Sequence, residues 1–253
     1  MTPRPRASTE KSRPSVFWPL AAIIVPLTGL IAKIEVIGGE KLPREGAYVL
    51  APNHNSEFDP IIVAVATWRM GRAPRFMAKE SLFRVPVLGW ALRATGMVPV
   101  ARSASASASR ATLDASTEIV ENGRGVIVYP EGSLTRDPDL WPMRGKTGAV
   151  RLALAGGIPV IPMAQWGTQQ ILPRYGKLKL WPLRRRVQVI VGDPVDLSAY
   201  IGKDGQSPAL VAATDVVMGE ISELLAQLRG EPAPATRWDP SAHGQKETGR
   251  LES

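Results

Sequence analysis

Short apolar runs alternate along the middle of the chain with longer segments of helical period. The apolar runs predict strands at 33–40, 48–51, 74–79, 96–100, 125–129, 158–163 and 187–191. The helical segments predict helices at 60–70, 111–122, 147–155 and 207–228. Such alternation is typical of an α/β domain. We therefore predict a single domain over residues 33–229, with a mostly parallel central sheet flanked by helices.

The two ends of the chain differ from this domain in composition. Residues 1–13 are polar and basic with a single acidic residue, Glu10, and predict a disordered basic arm. Residues 230–253 are rich in proline, serine and charge and have no periodicity, which predicts a disordered tail.

Between the basic arm and the domain lies an apolar segment. Residues 16–32 carry no charge, but they are interrupted by Pro19 and Pro26 and are shorter than the ~20 residues that usually span a bilayer. We predict that residues 14–32 form a membrane-associating helical segment, kinked at proline, with the basic residues on the cytoplasmic side. A cleaved signal peptide and an ordinary core helix are the alternatives.

Composition narrows the classes of function. The chain of 253 residues is 44% hydrophobic, which is enough for one large core. It contains no cysteine, and this excludes a disulfide scaffold, a thiolate nucleophile and a cysteine zinc site. The formal charge of +8 indicates an anionic partner, namely phospholipid head groups or phosphorylated small molecules. Nucleic acid is not expected, because aromatic residues make up only 6% and no base-reading motif occurs.

The candidate chemistry lies where the predicted strand 48–51 runs through a polar turn into a helix that starts at Pro60. His54 and Asp59 both belong to this turn. A carboxylate that holds an imidazole makes a general base, because it fixes the tautomer and stabilises the imidazolium. The alternative is that Asp59 only caps the helix and His54 is only a turn residue. A metal site is not expected, since no second histidine or cysteine is near.

The turn sequence NHNSEFDP at 53–60 resembles the NHxSxxD block of the glycerolipid acyltransferases, the family of 1-acylglycerol-3-phosphate acyltransferases. Three further stretches follow in the family's order: GMVPVAR at 96–102, VIVYPEGS at 126–133 and IPVIPMA at 158–164. The resemblance covers about residues 47–164. It implies that His54 takes the proton from the sn-2 hydroxyl of a lysophosphatidate as this attacks an acyl thioester, while Asp59 orients His54.

The resemblance also implies a set of substrate-binding residues, most of them on the glycerol-phosphate side: Lys79, Arg102, Glu131, Gly132, Ser133 and Arg136. The match is imperfect in the third block, where Arg136 stands two residues beyond the family's arginine, so Arg144 or Lys146 could take its place. No metal and no bound cofactor are implied, and the acyl donor is acyl-CoA or acyl-carrier protein.

These expectations describe an enzyme of phospholipid biosynthesis that makes phosphatidic acid at the cytoplasmic face of the cell membrane. Two alternative functions remain open. One is an acyltransferase of the same family with another acceptor, such as glycerol 3-phosphate, a lyso-aminolipid or a glycosylated lipid. The other is a non-catalytic protein that binds anionic membranes through the basic arm and the apolar segment.

Overall fold

The structure, a computed structural model, describes residues 15–79, 83–100 and 106–246. The helices are α1 (Phe17–Ile31), α2 (Asp59–Arg69), α3 (Pro86–Ala94), α4 (Ala106–Glu121), α5 (Gly148–Gly156), α6 (Thr168–Ile171) and α7 (Ser207–Arg229). The strands are β1 (Ala32–Ile37), β2 (Tyr48–Pro52), β3 (Met77–Lys79), β4 (Val98–Val100), β5 (Gly125–Ile127), β6 (Val160–Trp166) and β7 (Arg185–Val191).

Five of these strands form the central sheet in the order β1, β7, β6, β2, β5. Strand β2 runs parallel to both of its neighbours, β5 and β6, whereas β7 is antiparallel to β6 and parallel to β1. The prediction of a mostly parallel α/β sheet is confirmed. Because β1 and β7 run against the other three strands, their first residues lie at the same edge of the sheet as the carboxyl end of β2.

Both faces of the sheet are covered, which explains why β2 is apolar at every position. Tyr48 and Leu50 pack on the side of α2, where they join Ile62 in one buried cluster. Val49 and Ala51 pack on the opposite side, in a cluster that contains residues of α5 and α7. Successive side chains of a strand point to opposite faces, so β2 is buried on both faces of the sheet.

The predicted apolar segment forms α1, which lies along α2. Phe17 is buried with Trp68, and the Trp18 ring meets the Trp68 ring edge-on with centroids 5.6 Å apart. Helix α1 also leaves large apolar side chains exposed, namely Trp18, Leu20, Ile23, Ile24, Leu27 and Leu30. Across residues 15–79, 83–100 and 106–246, no helix combines the length and apolar character that a membrane crossing requires.

The prediction of a disordered tail is wrong for residues 230–246, whose positions the structure defines. A 3₁₀ helix covers Pro240–His243, and the Asp239 side chain caps it by accepting from the Ser241 N–H at 2.9 Å. Trp238 stacks on His243 with ring centroids 3.6 Å apart, and Arg237 pairs with Asp215 of α7 at 2.8 Å. These local contacts leave no periodic signal in the sequence. The predicted basic arm 1–13 and the last residues, 247–253, lie outside the described residues.

Candidate active site

The carboxyl end of β2 is fixed to the neighbouring strand β6 by one pair of side chains. The Asn53 amide oxygen accepts from the Gln165 backbone N–H at 2.8 Å, and the Asn53 amide nitrogen donates to the Gln165 carbonyl at 3.2 Å. The Gln165 side chain donates in return to the Asn53 carbonyl at 3.3 Å. The chain therefore leaves the sheet from a fixed point immediately before His54.

Asp59, the first residue of α2, holds the turn that follows. Its side chain is fully buried, and its Oδ2 accepts from the backbone N–H groups of Asn55 and Ser56 at 2.7 and 2.8 Å. The same oxygen lies 3.0 Å from Nδ1 of His54. The two side chains that the sequence singled out therefore converge, although they stand five positions apart.

This contact selects the tautomer of a neutral imidazole. Because a carboxylate oxygen can only accept, the neutral ring carries its proton on Nδ1 and its lone pair on Nε2. The His54 side chain is 16% exposed, whereas Asp59 is completely shielded from water. The arrangement is that of an oriented general base whose partner carboxylate is inaccessible to solvent.

Glu131 holds the backbone of His54 from the turn that follows β5. One of its carboxyl oxygens accepts from the His54 N–H at 2.8 Å, and the other accepts from the Met143 N–H at 3.1 Å. The Thr135 N–H completes the clamp by donating to the His54 carbonyl at 2.7 Å. Glu131 is thus a positioning residue in its described contacts, and its predicted contact with substrate stays a prediction.

The buried position of Glu131 changes its titration. Removal from water disfavours the charged form and raises the pKa of Glu131 to about 8, although the N–H groups of Met143 and His54 favour the charged form. The carboxyl group is therefore mostly protonated at neutral pH.

Tyr129 forms an aromatic wall beside the base, and the sequence reasoning missed it. Its ring stacks on His54 with centroids 4.1 Å apart, and the Phe76 ring lies beyond it at 6.3 Å. Burial, together with the charge of Asp59, raises the pKa of the Tyr129 hydroxyl well above its usual range. The signal for this residue was its place at the carboxyl end of a predicted strand, directly before Pro130.

An apolar cavity of about 190 Å³ opens next to this stack, between α1, α2 and the segment that includes β3. Phe76 lines it together with Phe17, Leu20, Trp68 and Met97. Because Phe76 also stacks on Tyr129, the cavity is separated from His54 by two aromatic rings.

A second cavity, of about 360 Å³, has charged side chains in its walls, namely Glu131, Arg144, Lys146 and Asp215, and we call it the polar cavity. Lys146 is held against the turn after β5, since its N–H donates to the Pro130 carbonyl at 2.7 Å.

The close approach of the Lys146 side chain to this turn requires glycine at position 132. The φ of Gly132 is +69°, and a Cβ there would stand 3.0 Å from a side-chain carbon of Lys146. Arg144 and Lys146 both line the polar cavity. They are the two cations that the sequence analysis gave as replacements for the displaced arginine.

The other predicted ligands lie differently. Arg136 is almost completely buried, and its guanidinium donates to the Tyr175 hydroxyl at 3.1 Å. Ser133 follows Gly132 at the rim of the clamp, and Lys79 is the last residue of β3. Arg102 lies outside the described residues. Within the described ranges, no three histidine, aspartate or glutamate side chains come together as metal ligands would.

Comparison with known proteins identifies a family and several relatives. A family model named Acyltransferase matches residues 33–166. The chain is 33% identical over 142 residues to the chloroplastic 1-acyl-sn-glycerol-3-phosphate acyltransferase BAT2 of Brassica napus, covering 56% of this chain and 39% of that protein. It is 29% identical over 136 residues to the 1-acyl-sn-glycerol-3-phosphate acyltransferase of Borreliella burgdorferi, covering 54% and 52%.

Among solved structures, the chain resembles the 1-acyl-sn-glycerophosphate (LPA) acyltransferase PlsC from Thermotoga maritima. The TM-score is 0.58 at 25% identity, over 88% of this chain and 81% of that one. The matched regions span about two fifths of the length of the Brassica relative and about half of the Borreliella relative.

Glu131 is expected to make stability depend on pH. Its pKa in the folded chain, about 8, exceeds the ordinary 4.5, so its stabilising contribution is complete below pH 4.5 and is lost as the pH rises through about 8. Relative to Glu131→Gln, the free energy of unfolding of the wild type should fall by on the order of 1 kcal/mol per pH unit. Urea unfolding across that pH range measures this. Glu223→Gln, on an exposed position of α7, should follow the wild type, whereas parallel curves for wild type and Glu131→Gln would refute the assignment.

Proposed function

The chain belongs to the Acyltransferase family, and we propose that it transfers a fatty acyl group from an acyl thioester to the sn-2 hydroxyl of 1-acylglycerol 3-phosphate. The product is phosphatidic acid, a precursor of phospholipids. The observation that carries the proposal is the contact of 3.0 Å between His54 Nδ1 and the buried Asp59, in a chain whose relatives are 1-acyl-sn-glycerol-3-phosphate acyltransferases.

In the proposed reaction, Nε2 of His54 takes the proton of the acceptor hydroxyl while the hydroxyl oxygen attacks the thioester carbonyl carbon. A carbon–oxygen bond forms, the tetrahedral intermediate collapses, and the carbon–sulfur bond breaks. The imidazolium returns its proton to the departing thiolate. Asp59 keeps Nε2 in the accepting tautomer and stabilises the imidazolium, which is the task of the carboxylate in such pairs.

The two cavities suit the two ends of this reaction. The apolar cavity beside Phe76 and Tyr129 has the lining that a hydrocarbon chain requires, and it lies within two rings of the base. The polar cavity offers Lys146 and Arg144 for the phosphate of the acceptor. We propose Lys146 as a phosphate contact in this cavity, because its backbone N–H is bonded to the Pro130 carbonyl in the turn that carries Glu131.

The predicted ligands Lys79, Arg102, Ser133 and Arg136 remain part of the proposal. Burial of Arg136 against Tyr175 supports a lesser role for its guanidinium in binding. The donor is acyl-CoA or acyl-carrier protein. The exposed apolar side of α1 and the basic arm 1–13 support a location at the cytoplasmic face of the cell membrane.

The acceptor is tested with purified protein, one acyl-CoA and a panel of lysophosphatidate, glycerol 3-phosphate, a lyso-aminolipid and a glycosylated lipid. Lysophosphatidate should give the highest kcat/KM, measured as thiol release and as acylated product. A clear preference for another acceptor would retain the acyl transfer and overturn the proposed substrate.

His54→Ala should lower kcat roughly 10²–10⁴-fold, since this is the usual effect of a positioned general base. Thiol release with lysophosphatidate measures it, and circular dichroism checks the fold. His243→Ala is the matched control, because that imidazole lies in the 3₁₀ helix of the carboxyl-terminal segment and should leave kcat unchanged. Turnover of His54→Ala at the wild-type rate is incompatible with the mechanism.

Lys146→Gln should raise the KM for lysophosphatidate about tenfold or more, because a hydrogen bond to a charged group contributes roughly 1.5–3 kcal/mol. Arg102→Lys should raise the same KM strongly, since an ammonium group cannot copy the bidentate guanidinium. Arg136→Lys should have the weaker effect, because its side chain is buried against Tyr175. The opposite order would place the phosphate at Arg136.

A further inference from the structure

An exposed apolar loop precedes β7. Every residue from 176 to 184 is exposed, and we call this range the tip loop. It presents Leu178, Leu180, Trp181 and Leu183, with Trp181 80% exposed and each leucine about half exposed. Soluble surfaces expose such side chains singly, whereas a contiguous group of them marks an interaction site.

The charges that the chain carries along the tip loop and its flanks are of one sign, although Arg186, in β7, is paired with Glu35 of β1 at 2.7 Å. Residues 172–192 contain no aspartate or glutamate, and the cations that flank the apolar side chains are Lys177, Lys179, Arg184, Arg185 and Arg186. Proteins place tryptophan and leucine side chains with basic residues on either side at anionic membrane interfaces. A symmetric contact between two copies of the chain would bring these cations together, which disfavours that occupant.

The tip loop meets the other apolar surface of the molecule. The Arg184 N–H donates to the Leu30 carbonyl at 3.2 Å, and β1 and β7 then pair from Ala32 and Arg185 onward. Leu27 and Leu30, at this end of α1, are 55% and 60% exposed. The exposed side chains of the tip loop therefore begin where those of α1 end.

The base of the tip loop is bonded to the turn that carries His54. The Ser56 hydroxyl donates to the Leu172 carbonyl at 2.6 Å, and the Tyr175 N–H donates to the Glu57 carboxylate at 3.0 Å. Movement of the loop relative to the catalytic turn is thereby restrained at two points.

We propose that the tip loop inserts Leu178, Leu180, Trp181 and Leu183 into the interfacial region of an anionic lipid leaflet. Together with α1 it makes a two-part membrane contact, which holds the His54 turn at the surface where the amphiphilic acceptor resides. This inference rests on the proposed function, and the binding it describes is measurable without any acyl transfer.

The first experiment measures binding of the full chain to vesicles of phosphatidylcholine with phosphatidylglycerol, and to phosphatidylcholine alone. The triple variant Leu180→Ser, Trp181→Ser, Leu183→Ser should bind the anionic vesicles about tenfold or more weakly than the wild type, because buried leucine and tryptophan side chains drive interfacial binding.

The matched control is Ile201→Ser, since Ile201 is 74% exposed and follows the strand β7 at its other end. It should bind like the wild type. Unchanged vesicle binding of the triple variant overturns the proposal. A dimer that only the wild type forms in sedimentation also overturns it, because the loop would then be a contact between two copies of the chain.

The second experiment compares acyl transfer to lysophosphatidate in anionic vesicles with transfer to a short-chain lysophosphatidate dissolved as monomers. The triple variant should lose activity several-fold with vesicles and keep it with the monomeric acceptor. An equal loss with both acceptors overturns the inference, since the loop would then act in the chemistry or the fold. A wild type that binds anionic vesicles through this loop but acylates no acceptor refutes the proposed function alone.

Discussion

A single carboxylate oxygen organises the site. Asp59 Oδ2 collects the N–H groups of Asn55 and Ser56 and the ring N–H of His54, all within 3.0 Å. A buried carboxylate is costly without such donors, so the turn must close around it for the chain to enter α2. The contact that shapes the backbone is therefore the same contact that orients the His54 imidazole. The structural role of Asp59 and its proposed catalytic role rest on the same oxygen.

Helix α2 also stabilises Asp59, although Asp59 does not cap the helix as an N-cap residue would. Asp59 is the first residue of α2, and its hydrogen bonds run backward to Asn55 and Ser56 rather than forward into the helix. A negative charge at this end of a helix is favoured by the helix dipole. The carboxylate is thus stabilised from one side by the dipole and from the other by the turn it closes.

The strand–turn–helix around His54 could be predicted from the sequence because all its determinants lie within a few residues. The strands were recognised by their apolar runs, but not the antiparallel direction of β7, which depends on pairing with β6 far away in the chain. The resemblance identified Glu131 but not its role. That role depends on burial and on a hydrogen bond to the His54 backbone, which joins residues 77 positions apart in the chain. The stacking of Tyr129 on His54 escaped for the same reason, because contacts between distant residues leave no local pattern. The segment 230–246 escaped because its contacts, such as those of the 3₁₀ helix Pro240–His243, follow no periodic pattern.

The direction of β7 has a consequence for the site as a whole. Since β1 and β7 start at the edge where β2 ends, the end of α1 and the tip loop lie at the same edge as His54. An all-parallel sheet would place those two apolar elements at the opposite edge, away from the base. Tyr129 stacks between His54 and Phe76 of the apolar cavity, and Glu131, only two residues further on, lines the polar cavity. The proposed reaction, between a hydrocarbon-bearing thioester and a phosphate-bearing alcohol, needs this division of polarity at the proposed point of proton transfer.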